Sequence, residues 1–362
     1  MVPLRPDTVE IFHFEFYVPS WGSPGMLRFS LLTLCAKGVT VWSRRRIGFA
    51  GVGAVAGIAA ALVGLWATAS PAAPVTAART AAKTQVVATV QDAVAVTATS
   101  AAATGPIVAL GDSYTAGNLL PLDLTARPLG CARSARAYPV LVASALKAPL
   151  VDAACGGAGV QYMTGTQPTS LGTNPPQVNS LATDDSVVML TLSGDDMGFW
   201  STLDTCMELS VTDLFGSPCE RHFTSGGTDQ LAARVTAETE KITAVLAAIR
   251  ARAPRARILV VGYPDLFPQR GGCWPAVPIT NGDIAYLRST ELLLNAMLAG
   301  DASATGATFV DTYTPTIGHD ICQSASVKDV EGLVPTSLAY PFHPNARGQA
   351  AMAAAVLAAL RG

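Results

Sequence analysis

The chain has 362 residues, half of them hydrophobic, and carries 24 Lys+Arg against 26 Asp+Glu for a formal net charge of −2. That length holds one large domain or two small ones, and the apolar content suffices for a sizeable core. Only 14% of residues are charged and there is neither a polybasic tract nor an acidic tail, which excludes nucleic acid as an expected partner.

In chain order, the first feature is a targeting segment. Arg44, Arg45 and Arg46 precede an uncharged apolar stretch at 47–67, and small residues follow at Ala67, Ala69, Ala72 and Ala73. This is the layout of an export signal with its cleavage site, so residues 1–69 read as an N-terminal extension plus signal. Ser43-Arg-Arg-Arg-Ile47 loosely resembles a twin-arginine signal, and a plain secretory signal fits as well. The stretch is also long enough to span a bilayer. Uncleaved, it would anchor the protein facing outward, the only membrane contact expected. Its Ala and Gly content makes a weak anchor and favours cleavage. Because the arginines lie well inside the chain, translation is expected to start near Met26 or Val41. Residues 70–105, mostly Ala, Thr, Val and Ser, read as a linker.

A folded domain is expected over 106–362. Apolar runs at 106–110, 150–154, 186–192, 257–262 and 307–311 predict strands, several of them stopped by glycine. Helical spacing appears at 138–147, 230–252, 283–298 and 345–360. Strands alternating with helices predict an α/β fold, a central parallel sheet covered on both faces. Ligands bind such sheets beyond the carboxyl ends of the strands. Ser113, Gly157 and Asp195 all fall just after predicted strands. Trp200 and Trp274 are expected to pack in the core or in cleft walls, with the core favoured for each.

Of seven cysteines, Cys35 precedes the apolar stretch and would be lost on cleavage. That leaves Cys131, Cys155, Cys206, Cys219, Cys273 and Cys322. An even number in an oxidising compartment reads as disulfides, and six cysteines allow fifteen connectivities. Sequential pairing closes the shortest loops and is favoured. A metal site is not expected, since no Cys-x-x-Cys or matching histidine spacing occurs.

Ser113 sits in Gly111-Asp-Ser-Tyr-Thr-Ala-Gly117 after the first strand. A serine hydroxyl becomes a nucleophile only when a base takes its proton and the turn points it into a cleft. Of the four histidines, His13 precedes the export segment, His222 reads as a surface residue and His319 as structural. His343, on a loop opening the last helix, is the candidate base. No Gly-x-Ser-x-Gly elbow, His-Glu-x-x-His or phosphate loop occurs.

Together these pieces resemble a known family. Gly111-Asp-Ser113, Gly157 and Phe342-His-Pro-Asn345 look like the first, second and histidine blocks of the SGNH (GDSL-type) hydrolases. The exported actinobacterial esterase and lipase branch is the nearest likeness. Further matching segments are Gly130-Cys-Ala-Arg-Ser134, Pro175-Pro-Gln177, Gly262-Tyr-Pro-Asp-Leu-Phe-Pro268, Cys273-Trp-Pro275 and Gly318-His-Asp-Ile-Cys322. The resemblance implies a flavodoxin-like three-layer α/β/α sandwich and three sequential disulfides, Cys131–Cys155, Cys206–Cys219 and Cys273–Cys322. It also implies acyl-enzyme chemistry on carboxylic esters without metal or organic cofactor. Small-molecule or lipid esters are the expected substrates, and a monomer is the expected state. The rival readings are a carbohydrate O-deacetylase and an impaired domain that only binds glycan or lipid.

Two departures from the family pattern shape the expectations. Where the third block has Gly-x-Asn-Asp, this chain has Ser193-Gly-Asp-Asp, placing Asp195 at a position that donates to the oxyanion beside the Ser113 and Gly157 N–H groups. An ionised carboxylate cannot donate there; a protonated one can. The aspartate often found three residues before the histidine is Tyr340 here. A Ser113–His343 dyad is therefore expected, with the Tyr340 main-chain carbonyl orienting the imidazole.

Overall fold

The computed structural model describes residues 105–362 and the backbone of two short strands nearer the N-terminus. The chain divides into two units, Met1–Thr89 and Val90–Gly362. In the first, β1 (Phe12–Glu15) pairs antiparallel with β2 (Arg28–Leu31). The expected signal or anchor, Cys35 and the linker up to 104 lie outside the described residues.

The second unit begins with β3 (Ile107–Gly111), the one-turn helix α1 (Ser113–Ala116), α2 (Tyr138–Leu146) and β4 (Leu150–Asp152). A short helix α3 (Gln161–Thr164) leads to a small antiparallel pair, β5 (Gln167–Thr169) and β6 (Gly172–Asn174). Then come β7 (Val187–Thr191), α4 (Phe199–Ser210), α5 (Pro218–Thr224), α6 (Gln230–Arg252) and β8 (Arg257–Val261). The chain closes with α7 (Asn281–Ala304), β9 (Thr308–Val310) and α8 (Ala346–Arg361).

Five strands form one parallel sheet in the order β4-β3-β7-β8-β9. This is the doubly wound order in which the chain reverses direction across the sheet between the first and third strands, and a crevice opens at their carboxyl ends. Alternation along the strands builds the layers. Val108, Leu110, Val188 and Leu190 pack with Val235, Ile242 and Ile249 of α6 and Leu298 of α7. Ile107, Ala109 and Met189 face the other way, onto Tyr138 and Val142 of α2 and Met352 and Val356 of α8. Both faces are thus covered, giving an α/β/α sandwich. A third apolar cluster, including Leu203, Leu231, Leu266, Leu287 and Phe342, packs between α4, α6, α7 and the loops.

Helix ends follow local chemistry. Asp229 caps α6 by accepting from Leu231 N and Ala232 N, and Asn345 caps α8 by accepting from Arg347 N and Gly348 N. The Thr280 hydroxyl caps α7 through Asp283 N, so this helix starts before the predicted 283. It continues past 298 because Ala302 still faces the sheet, although the segment around Gly300 carries little apolar signal. In α4, Phe199, Trp200, Leu203, Cys206 and Met207 share one face and pack in the third apolar cluster, and the Cys206–Cys219 disulfide joins α4 to α5. The other disulfides are Cys131–Cys155 and Cys273–Cys322.

Where β3 runs into the Ser113 turn, Gly111 takes φ +130°, and a Cβ there would collide with the Thr191 carbonyl. Its N–H, unpaired in the ladder, donates to buried Gln177 Oε1 at 2.7 Å, while Gln177 Nε2 donates to the Gly111 carbonyl at 2.9 Å. Replacing Gln177 by Ala strands that N–H away from water. Urea denaturation of the Gln177→Ala variant should show a loss of about 1–3 kcal/mol.

Candidate active site

The crevice at the carboxyl ends of β3 and β7 collects the candidate residues. Asp112 caps the single turn of α1, its carboxylate accepting from Tyr114 N at 2.9 Å, so that Ser113 stands at the first helical position, 9% exposed. His343 arrives from the loop before α8 and is 3% exposed. Its Nε2 lies 2.7 Å from Ser113 Oγ, a hydrogen bond between residues 230 positions apart. On the other side of the ring, Nδ1 lies 2.8 Å from the Pro341 carbonyl and donates to it, because a carbonyl can only accept. Nε2 is then the basic nitrogen facing the serine.

The carbonyl at Nδ1 is a correction. The expected acceptor was Tyr340, but the Tyr340 carbonyl is taken by the His343 backbone N–H at 3.1 Å. Phe342 adopts φ +58°, and the turn this makes brings the Pro341 carbonyl, one residue further along, against the ring. The Tyr340 ring packs edge-on to the imidazole at 5.3 Å.

Gly157 takes φ +72°, a left-handed conformation that favours glycine, in the loop that the Cys131–Cys155 disulfide holds at the end of β4. Among the described residues, the N–H groups of Ser113, Gly157 and Asp195 meet no acceptor. The loop carrying Asp195 is tied on both sides. Gly194 N donates to Tyr263 Oη at 2.8 Å, and the Tyr263 hydroxyl donates to Asp112 Oδ2 at 2.6 Å. Asp196 accepts from Val160 N at 2.9 Å. Tyr263 and Gln177 were not singled out as site residues, although both lie in segments that carry the family resemblance. Tyr263 shares the one visible signal, a position just after a strand.

Electrostatics divide the titratable groups. Burial pushes the His343 imidazole down to about 4, against the opposing Pro341 hydrogen bond. Burial and the Asp196 charge push the Asp195 carboxyl up to about 6. Burial and the Asp195 charge also raise Asp112, despite the hydrogen bonds it accepts from Tyr263 and Tyr114.

From this centre an apolar cleft runs between α4, α6 and α7, walled by Leu203, Leu231, Leu266, Phe267, Leu287 and Leu294. Trp200 lines it, its ring 6.3 Å from and nearly parallel to His343. Trp200 thus belongs to the cleft wall, and Trp274, 42% exposed, packs in neither core nor cleft. His319 donates from Nδ1 to the Val327 carbonyl, a structural role away from the cleft. Among the described residues no group of three or more His, Cys, Asp and Glu is arranged to hold a metal ion, and no helix is long and apolar enough to cross a membrane.

Comparison with known proteins gives this geometry a context. Residues 109–351 match the model of the GDSL-like lipase/acylhydrolase family. The chain belongs to that family. It is 36% identical to Lipase 2 of Streptomyces coelicolor over 252 residues, 68% of this chain and 82% of the relative. A phospholipase A1 from Streptomyces albidoflavus superposes with a TM-score of 0.56 at 28% identity, covering 70% of this chain and 98% of that one. An extracellular lipase from Streptomyces rimosus gives 0.55 at 26% identity, covering 70% and 99%. The chain is a carboxylic-ester hydrolase of the GDSL-like family, with the α/β/α fold of its solved relatives.

In this hydrolase the imidazole should titrate far from its ordinary value. A histidine NMR resonance with a midpoint near pH 4, missing from the His343→Gln variant, is expected; a His343 midpoint close to the free value of about 6.5 would contradict the buried environment.

Proposed function

We propose that the protein is a secreted serine esterase or lipase that hydrolyses esters of apolar acyl groups through a Ser113–His343 dyad. The observation that carries this reading is the 2.7 Å contact between Ser113 Oγ and His343 Nε2, with Nδ1 fixed by a main-chain carbonyl. His343 takes the hydroxyl proton as Ser113 Oγ attacks the ester carbonyl, and the imidazolium returns it to the departing alcohol. Water, activated by the same nitrogen, then attacks the acyl-enzyme and frees the acid. The Pro341 carbonyl fixes the tautomer, and part of the work an acidic partner does elsewhere.

The oxyanion sits against the N–H groups of Ser113 and Gly157. Asp195 supplies a third donor while it holds its proton, and as a carboxylate it repels the developing charge. The apolar cleft favours an acyl chain over an acetyl group, which supports an esterase or lipase above a carbohydrate deacetylase. Three disulfides support export to an oxidising compartment.

Hydrolysis of p-nitrophenyl esters of increasing chain length tests the reading. Activity should rise from acetate towards longer acyl chains. It should fall by about three orders of magnitude or more in Ser113→Ala and His343→Ala. Preference for acetate would favour the deacetylase, and unchanged rates in Ser113→Ala would refute the mechanism. Tyr340→Phe should change the rate little, since its side chain makes no hydrogen bond to His343 and only packs on the ring.

The pH profile of kcat/KM follows from two groups. His343 must be free base, so the rate rises as pH climbs through about 4. Asp195 must be protonated to donate, so the rate falls as pH passes about 6. Asp195→Asn keeps a donor at every pH, and should flatten the upper limb and raise the rate at pH 8 by about tenfold or more. An unchanged or lower rate at pH 8 would remove Asp195 from the oxyanion site.

A further inference from the structure

Two walls of the molecule supply the proposed dyad. Ser113 stands on the turn after β3, whereas His343 rides a loop fastened to residues 329–332: Glu331 N donates to the His343 carbonyl at 3.0 Å, Phe342 N to the Gly332 carbonyl at 3.4 Å, and Asn345 N to the Asp329 carbonyl at 2.9 Å. None of these bonds reaches the nucleophile's wall. The Nδ1 bond to Pro341 does not either, since it closes within the same loop.

Among the described residues, three further bonds join these two parts of the chain: Tyr340 N donates to the Asn118 carbonyl at 3.0 Å, Gln349 Nε2 donates to the Tyr114 carbonyl, and a Tyr114 side-chain bond lies directly beside the dyad. The buried Tyr114 hydroxyl donates to the Phe342 carbonyl at 2.7 Å. Tyr114 follows Ser113 and Phe342 precedes His343, so this bond and the Ser113–His343 bond are adjacent rungs between the same two segments. The Tyr114 main-chain carbonyl is itself held by Gln349 Nε2 of α8 at 3.0 Å, and its ring lies 4.7 Å from the imidazole. Phe342 meanwhile sits at φ +58°, a conformation disfavoured for a bulky side chain that persists only where its surroundings enforce it.

We infer that Tyr114 is a positioning residue, whose hydroxyl holds the His343 loop in register with the Ser113 turn by gripping the Phe342 carbonyl. The inference rests on the dyad reading above. Its force comes from the missing acid. An imidazole oriented by a carbonyl of its own loop is only as well placed as that loop; the Tyr340–Asn118 backbone bond fixes the loop's start, and the Tyr114 hydroxyl fixes the residue next to His343 itself. The family's name spells leucine after Gly-Asp-Ser, and leucine has no hydroxyl to make this bond. Here the same position holds Tyr114.

The test compares Tyr114→Phe, which keeps the ring, and Tyr114→Leu with the unsubstituted protein on one soluble ester. Misplacing a reacting group by about 1 Å costs up to about a hundredfold in rate. A fall in kcat of about ten- to a hundredfold is expected in both variants, with KM within about twofold. The thermal midpoint should drop by only about 2–4 °C, as for one lost hydrogen bond. A folded Tyr114→Phe protein with kcat within twofold of the unsubstituted enzyme would overturn the inference. So would failure of both variants to fold, which would make the residue a structural one. Ser113→Ala separates the two levels. If it is inactive while Tyr114→Phe is fully active, only the positioning role fails; if it is active, the dyad itself fails.

Discussion

A single hydrogen bond between an early hydroxyl and a late imidazole is what the surrounding structure serves. Ser113 and His343 are 230 residues apart, and each reaches the meeting point by a separate route. The serine is delivered by a buried strand that ends at Gly111, whose backbone Gln177 grips from both sides. The histidine is delivered by a left-handed turn at Phe342 that also brings the Pro341 carbonyl to Nδ1. The strand order fixes where these routes meet, because a reversal of chain direction across a doubly wound sheet leaves a crevice at the strand ends.

The electrostatics around that bond have an unusual balance. Asp112 and Asp195 line the cleft beside the serine with Asp196 next in the chain; burial lifts all three carboxyls, and the charges of neighbouring aspartates lift Asp112 and Asp195 further. His343 is shifted the other way by burial, so it stays neutral well into acid. A weakly basic imidazole pulls a proton less strongly but is rarely lost to protonation, and a raised Asp195 keeps its proton where the imidazole is already free. The two displacements open a common acidic window. In the proposed mechanism, that pairing gives a physical rationale for an aspartate where the family pattern has asparagine: the carboxyl would set the pH at which the site works rather than alter its geometry.

Much of the fold was legible in the sequence because fully buried parallel strands are short apolar runs, and long amphipathic helices carry their period openly. The runs beginning at Ile107 and Val187 and the helix Gln230–Arg252 were readable on those grounds. The helices Phe199–Ser210 and Pro218–Thr224 were not expected. The first does carry Phe199, Trp200, Leu203, Cys206 and Met207 at helical spacing, a signal the sequence reading passes over, whereas the second is only seven residues long and too short for a period to show. At the site, Ser113 and His343 stood out by residue type and motif. The identity of the orienting carbonyl did not, because the choice between Tyr340 and Pro341 depends on a positive φ at a phenylalanine, which no residue type announces. Tyr263 was hidden for a related reason: a tyrosine after a strand reads as packing, and its bridge from Asp112 to Gly194 exists only once three loops have folded together.

The most direct test of the Ser113–His343 pairing is covalent modification by a fluorophosphonate, with the adduct mapped by peptide mass spectrometry. The account predicts a single adduct on Ser113, formed quickly at pH 5 to 6 and nearly abolished in His343→Gln, because the probe reads activation of that one hydroxyl. An adduct on another serine, or labelling of Ser113 as fast without the imidazole as with it, would contradict it.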